Sequence, residues 1–185
     1  MTELQSYLGG SWKTGSGQSV ALYNPSTEEV IAQTSTEGLD LADALEYARQ
    51  VGGENLRALS FAERGALLTK MANTLHEHRE RLLIVSRECN GATRSDSKFD
   101  VDGATATLSA YGRYGEKMGG EYFQLDGTPS RISSNARHIG QHVRLPRPGV
   151  AVHINAFNFP AWGAFEKMAV AFLAGMPVLT KPAQE

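Results

Sequence analysis

The stretch Gly149–Lys181, GVAVHINAFNFPAWGAFEKMAVAFLAGMPVLTK, decides the fold of this chain. It opens with apolar residues, Val150, Ala151, Val152 and Ile154, in a run short enough for a buried strand, and Val178–Thr180 near its end is predicted to form a second strand. Between them, apolar side chains recur at the spacing of one face of an amphipathic helix: Trp162, Phe165, Ala169 and Phe172. Pro160 suits a first helical turn, and Gly175 suits the helix end. The segment therefore predicts a β-α-β unit.

The two strand ends of this unit predict a ligand-binding crevice. A right-handed crossover places the carboxyl ends of both strands on one edge of the sheet, where open α/β sheets bind ligands. Asn158 follows the first strand and Lys181 ends the second, so an amide and a cation should converge there. Two plainer interpretations stay open, in which Asn158 only caps the helix and Lys181 is only a solvated charge. No GxGxxG lies between the strands, so the usual dinucleotide fingerprint is absent.

The segment INAFNFP, followed after the helix by KPA, resembles the aldehyde dehydrogenase family. Members of that family carry a Trp-Asn-Phe-Pro-type segment and a Lys-Pro-Ala/Ser-Glu-type segment, and Phe157 stands where they usually have tryptophan. The resemblance implies an α/β fold, the N-terminal part of an aldehyde dehydrogenase. That part comprises a Rossmann-like cofactor domain with N-terminal helices and an oligomerisation hairpin.

Three ranges follow from combining this resemblance with the local patterns. Residues 1–120 are predicted to hold the N-terminal strands and helices of the cofactor domain, with a strand near Val30–Ala32 and helices capped by Asp40 and by a Ser60/Glu63 capping box. A polar loop should precede a further helix over 101–118. Residues 121–147 are predicted to form the oligomerisation hairpin, and 148–185 the first, incomplete β-α-β of the NAD(P)-binding sheet. The hairpin implies a homo-oligomer.

Composition bounds the class of protein. The 185 residues are 41% hydrophobic and 21% charged, as in a globular chain, and the net charge of −2 favours neither nucleic acid nor an anionic membrane as partner. No apolar run approaches the roughly 20 residues of a membrane-spanning helix. The single cysteine, Cys89, and the lack of a secretory signal favour the cytoplasm. We expect Cys89 to be structural, since no basic group is predicted beside it.

Further motifs narrow the resemblance to one branch of the family. Thr36–Asp40, Asp100–Gly103 and Gly175–Pro177 resemble the coenzyme A-linked semialdehyde dehydrogenases of aromatic acid degradation, including the ring-opening bifunctional enzyme of phenylacetate degradation. The implied function is NAD(P)-dependent oxidation of an aldehyde to the carboxylic acid. The implied aldehyde is a semialdehyde that is linked to coenzyme A as a thioester. The implied cysteine nucleophile lies beyond this chain. Two parallel strands alone leave open sheet edges, so we expect an N-terminal part of a longer polypeptide. The alternative is a non-catalytic nucleotide-binding or assembly module.

The resemblance also implies site residues. Asn158 matches the asparagine that stabilises the oxyanion of the tetrahedral intermediate, and it also faces the cofactor. Backbone groups at Ile154 and Phe157 should line the nicotinamide side. Lys181 should contact the adenosine ribose, and Ala183 in the same segment should also bind the cofactor.

One further position bears on the cofactor. Gln184 stands where NAD-preferring relatives often hold a glutamate, and a neutral side chain does not repel a 2′-phosphate. We therefore predict NADP, with NAD possible. No metal site is predicted, because His76 and His78 are two residues apart and face different sides of a helix.

Overall fold

Short strands at the start of the chain form two small sheets. The computed structural model describes residues 2–183. The strands are β1 (Thr2–Glu3), β2 (Ser6–Leu8), β3 (Ser11–Lys13), β4 (Val20–Tyr23) and β5 (Val30–Thr34). One sheet has the order β1-β5-β4, with β1 parallel and β4 antiparallel to β5, and the other is the antiparallel pair β2-β3. The predicted strand near Val30–Ala32 is confirmed.

Helices dominate the middle of the chain. They are α1 (Leu41–Tyr47), α2 (Gly53–Arg57), α3 (Phe61–Glu77), α4 (Arg79–Asn90) and α5 (Arg94–Met118). A π-helical segment, Ala48–Gly52, joins α1 to α2, so the helical stretch that follows Asp40 continues to Arg57. No helix in residues 2–183 combines the length and the apolarity needed to cross a membrane.

Side-chain caps explain where the helices begin. The Asp40 carboxylate accepts a hydrogen bond from the Asp43 N–H at 2.8 Å, and Ser60 and Glu63 form a reciprocal capping box, as predicted. These bonds from Ser60 lower the pKa of Glu63. The predicted start of α5 at residue 101 is wrong. Thr93 caps that helix by accepting from the Asp96 N–H at 3.2 Å, so the polar residues 94–97 form its first turn.

The core lies where α3, α5 and α6 (Trp162–Leu173) meet. Its buried apolar residues are Phe61, Leu68, Ala72, Leu108, Ala169 and Leu173. Glycine permits the close approach of the helices, because a Cβ atom at Gly115 would lie 2.7 Å from the Gly65 Cα and 2.9 Å from the Leu173 Cδ1. The α3 and α5 backbones are therefore in direct contact, and α6 packs against the pair.

A long antiparallel hairpin leaves this core. It consists of β6 (Gln124–Arg131) and β7 (Ile139–Arg144), paired from Gln124 opposite Arg144 to Arg131 opposite Ile139. Every residue of β6 is exposed, and an ion pair of 2.9 Å joins Arg144 to Asp126. A hairpin within 121–147 is thus present, while its assignment as an oligomerisation element stays a prediction, as do the domain boundaries.

The glycine contact between α3 and α5 yields a stability prediction. Gly115→Ala should lower the free energy of unfolding of the whole protein by about 1–3 kcal/mol, because the added methyl group forces the two backbones apart. Urea unfolding followed by circular dichroism measures this change. The matched control is Gly120→Ala, since a Cβ atom there meets nothing within 4 Å. Equal stability of the two variants would contradict the proposed close packing.

Candidate functional site

The last part of the described chain is a β-α-β unit, as predicted. Strands β8 (Ala151–Ile154) and β9 (Val178–Lys181) pair in parallel, with Ala151 opposite Val178 and Ile154 opposite Lys181, and α6 connects them. The register brings Ile154 and Lys181 together at the carboxyl ends of the two strands. Both are exposed, Ile154 to 74%. This edge is where an open α/β sheet binds ligands.

Asn155 fastens the two strand ends to each other. Its backbone N–H donates to the Lys181 carbonyl at 3.1 Å, and its side-chain Nδ2 donates to the same carbonyl at 2.9 Å and to the Thr180 Oγ1 at 2.7 Å. Only 7% of Asn155 is exposed. The sequence analysis did not single out this residue. The available signal was a polar amide placed directly after a predicted strand, within INAFNFP.

The turn between β8 and α6 carries Asn158, which is exposed. The alternative in which Asn158 only caps α6 is wrong, because the side chain of another residue accepts the hydrogen bonds of the helix N-terminus. The Asp100 carboxylate, on α5, accepts from the Ala161 N–H at 3.1 Å and from the Trp162 N–H at 2.7 Å. The cap therefore comes from a distant helix, and the Asn158 amide is not used for capping.

Aromatic contacts hold the same turn against α5. The Trp162 ring meets Phe99 edge-on at 5.1 Å between centroids and Phe159 at 6.2 Å, and its Nε1–H donates to the Thr107 Oγ1 at 3.0 Å. The turn is thus attached to α5 after Asn158 and to β9 before it, through Asn155.

Two lysine side chains, Lys167 and Lys181, lie beside this edge of the sheet. The Lys181 Nζ donates to the Pro182 carbonyl at 3.0 Å, and the Lys167 Nζ lies 3.4 Å from the Ile154 carbonyl oxygen. Burial, together with the charge of Lys167, lowers the pKa of His153 on β8. The exposed ammonium group of Lys181 and the partly exposed one of Lys167 suit an anionic or polyhydroxylated ligand. His153, which is half-buried, adds no charge there when its imidazole is neutral.

The other predicted site residues fall into three places. Phe157 is exposed on the same turn as Asn158. Ala183 is half-buried just after β9. Gln184 lies outside the described residues, so its prediction stands on sequence alone.

Cys89 lies at the end of α4, away from this edge in the chain, and is half-buried. Burial and the neighbouring Glu88 carboxylate raise the pKa of its thiol. A raised thiol pKa disfavours the nucleophilic thiolate. This agrees with the expectation that Cys89 is structural.

The family model described as "Aldehyde dehydrogenase family" matches residues 12–185, and the chain belongs to this family. It is 44% identical over 181 residues to a 3,4-dehydroadipyl-CoA semialdehyde dehydrogenase from Aromatoleum evansii, a match that covers 98% of this chain and 35% of that protein. It is 27% identical to a D-glyceraldehyde dehydrogenase (NADP(+)) from Picrophilus torridus, over 97% of this chain and 35% of that protein. The chain thus spans about a third of the length of these relatives.

Solved structures agree on the fold. A NAD-dependent benzaldehyde dehydrogenase from Corynebacterium glutamicum is 26% identical with a TM-score of 0.81, over 97% of this chain and 37% of that one. A 3,6-anhydro-L-galactose dehydrogenase superposes with a TM-score of 0.82 at 24% identity, over 100% of this chain and 37% of that one. The mixed α/β structure corresponds to the N-terminal third of these enzymes, as predicted.

The bonds of Asn155 yield a second prediction. Asn155→Asp removes both side-chain donors while keeping the size of the side chain, and it sets a carboxylate against the Lys181 carbonyl. We expect a loss of about 1–3 kcal/mol in the free energy of unfolding, measured by urea titration of the whole protein. The matched control is Asn24→Asp, because the Asn24 Oδ1 only accepts, from the Ser26 N–H at 2.9 Å, and a carboxylate accepts equally well. An unchanged free energy of unfolding in Asn155→Asp would contradict the role of Asn155 in joining the two strand ends.

Proposed function

We propose that this chain is the N-terminal part of an enzyme that oxidises a coenzyme A-linked semialdehyde to the carboxylic acid with NAD(P). The substrate class rests on the 44% identity to the relative from Aromatoleum evansii over nearly the whole of this chain. The observation that carries the reaction type is the Asn158 amide, exposed on a turn that is anchored at both ends. The activity belongs to the whole protein, of which this chain spans about a third by comparison with that relative.

Asn158 supplies a hydrogen-bond donor. Oxidation of an aldehyde through a thioester passes through a tetrahedral intermediate whose oxygen carries negative charge, and fixed donors lower the barrier to it. The side-chain amide of Asn158 suits this role because it is uncharged at every working pH and is not used to cap α6. We assign the nucleophilic cysteine to the part of the enzyme outside these residues, because Cys89 lacks an activating environment.

The strand edge fits a nicotinamide dinucleotide. Ile154 and Lys181 end two parallel strands side by side, and an exposed ammonium group beside them suits a ribose or its phosphate. A nicotinamide cofactor held at this edge would supply the hydride acceptor for the oxidation. We assign Lys181, Ala183 and Gln184 to the adenosine side, and backbone groups at Ile154 and Phe157 to the nicotinamide side. NADP is our preferred cofactor, because the neutral Gln184 does not repel a 2′-phosphate. NAD is the alternative, since relatives that use each one match this chain.

The exposed hairpin supports assembly into a homo-oligomer. All of β6 is exposed, and apolar side chains on it and on β7 face outward, including Leu125 and Val143. An unpaired strand edge is a ready docking surface for a second copy. Sedimentation of the whole enzyme with Leu125→Asp and Val143→Asp tests this assignment, because these charges should dissociate it.

We also place the enzyme in the cytoplasm, which cell fractionation tests.

The second candidate is a non-catalytic nucleotide-binding or assembly module. It is favoured by one observation, the absence of an activated cysteine among residues 2–183. Reading the gene beyond the codon for Glu185 separates the two candidates. A catalytic segment there supports the enzyme, and a stop codon supports the module.

The oxyanion role gives a kinetic prediction. In the full-length enzyme, Asn158→Ala should lower kcat by about 10²–10³-fold, because a single fixed donor of this kind contributes that much to the rate. Aldehyde-dependent reduction of NADP, followed by absorbance, measures the rate. Asn73→Ala, on the exposed side of α3, is the control. Full activity in Asn158→Ala would refute the role.

The cofactor assignment gives a binding prediction. Gln184→Glu should weaken NADP by about 10-fold and spare NAD, since a carboxylate repels the 2′-phosphate. Lys181→Ala should weaken NADP more than NAD. Titration of each cofactor into the full-length protein, followed by fluorescence, measures both. Lys117→Ala removes an exposed lysine at the far end of α5 as the control. If neither substitution changes binding, the cofactor lies elsewhere.

A further inference from the structure

We propose that Asp100 is a positioning residue for the reaction, and that its carboxylate sets the orientation of Asn158 by holding the start of α6. This inference rests on the proposed function of Asn158. Asp100 lies on α5, more than fifty positions before the turn that it holds, and it touches neither the strand edge nor the reacting atoms in our assignment. Its effect on the chemistry is therefore indirect.

The geometry is that of a two-point attachment. One oxygen of Asp100 accepts from the Ala161 N–H at 3.1 Å and the other accepts from the Trp162 N–H at 2.7 Å. Two bonds to successive backbone groups fix the direction of a helix end as well as its distance. No side chain within α6 itself caps this terminus. The orientation of the helix start thus depends on α5.

A buried carboxylate is costly, which argues that the arrangement serves more than packing. Asp100 is only 2% exposed, and within the described chain no ion pair includes it. The pKa of Asp100 is raised, because burial outweighs the opposing effect of the bonds from Trp162 and Ala161. The partial positive charge of the α6 N-terminus favours the ionised form and offsets part of this cost. An apolar residue of similar size would avoid the desolvation but would leave the helix end unfixed.

The same face of α5 makes further contacts with the turn. A Cβ atom at Gly103 would lie 2.6 Å from the Trp162 Cδ2, so the indole ring packs directly on the α5 backbone. Thr107 then accepts from the Trp162 Nε1–H, and Phe99 packs against both Phe159 and Trp162. Asp100 is the central and the only charged member of this face among the residues named.

Asn158 is consequently held between two fixed points. Asn155 is bonded to β9 on one side, and Ala161 and Trp162 are bonded to Asp100 on the other. Misplacing a catalytic group by about 1 Å can cost on the order of 100-fold in rate. Weakening the attachment at Asp100 should therefore lower kcat through Asn158 alone.

The test is a double-mutant cycle in the full-length enzyme with Asp100→Asn and Asn158→Ala. The asparagine keeps the size of the side chain but places an NH₂ group against a backbone N–H. We expect Asp100→Asn to lower kcat by about 10- to 100-fold in the wild-type background and by less than about 2-fold in Asn158→Ala, since the two residues act as one unit. An equal factor in both backgrounds, or an unchanged kcat, overturns the inference.

The control on the same helix is Asp102→Asn. Asp102 pairs with Arg79, with bonds of 2.6 and 2.7 Å, and does not touch the turn, so its loss weakens α5 packing without moving Asn158. We expect a lower melting temperature and an unchanged kcat. If Asp100→Asn does not fold, Thr107→Val replaces it in the cycle, with a smaller loss in the same direction.

Amide hydrogen exchange separates this inference from the proposed function. Asp100→Asn should speed exchange in peptides that contain Ala161 and Trp162, and Asp102→Asn should not. Unchanged exchange there overturns the inference alone. Full kcat in Asn158→Ala overturns the proposed function, and the catalytic part of the inference falls with it, whatever the exchange result.

Discussion

The backbone contact between α3 and α5 is the constraint on which the rest of the structure depends. Glycine at Gly65 and Gly115 lets two long helices approach so closely that a methyl group does not fit between them. The resulting pair offers one continuous surface. The apolar side of α6 packs on it through Ala169 and Leu173, and the polar start of α6 binds it through Asp100. Core and candidate site therefore share one helix, α5.

Local patterns in the sequence predicted the elements well. Apolar spacing predicted α6, and the Ser60/Glu63 spacing predicted a capping box that the structure confirms. These signals are readable because each depends on residues a few positions apart. The same limit explains the error at α5, where a polar first turn after Thr93 carries no apolar period.

Contacts distant in sequence were not predictable in the same way. Asp100 caps a helix that begins more than sixty positions later, and no spacing rule connects the two. Capping by Asn158 was left open as an alternative because that residue lies just before the helix, and the structure rules it out. Asn155 was missed because its partners, Thr180 and Lys181, come from the other strand. The candidate edge could be located from the sequence by topology, whereas the bonds that shape it required the structure.

Because Asp100 on α5 caps α6, the order in which the helices form is constrained. A helix of 12 residues without a side-chain cap of its own is at the length where isolated helices are marginal in water, about 12–15 residues. As the ribosome releases the polypeptide, α3 and α5 emerge first and can pair before α6 exists. Residues 161–173 then fold onto this pair, whereas Asn155 gains its partners only when Thr180 and Lys181 have emerged. The turn that bears the proposed oxyanion donor is thereby fixed at its α5 end before it can be fixed at its β9 end.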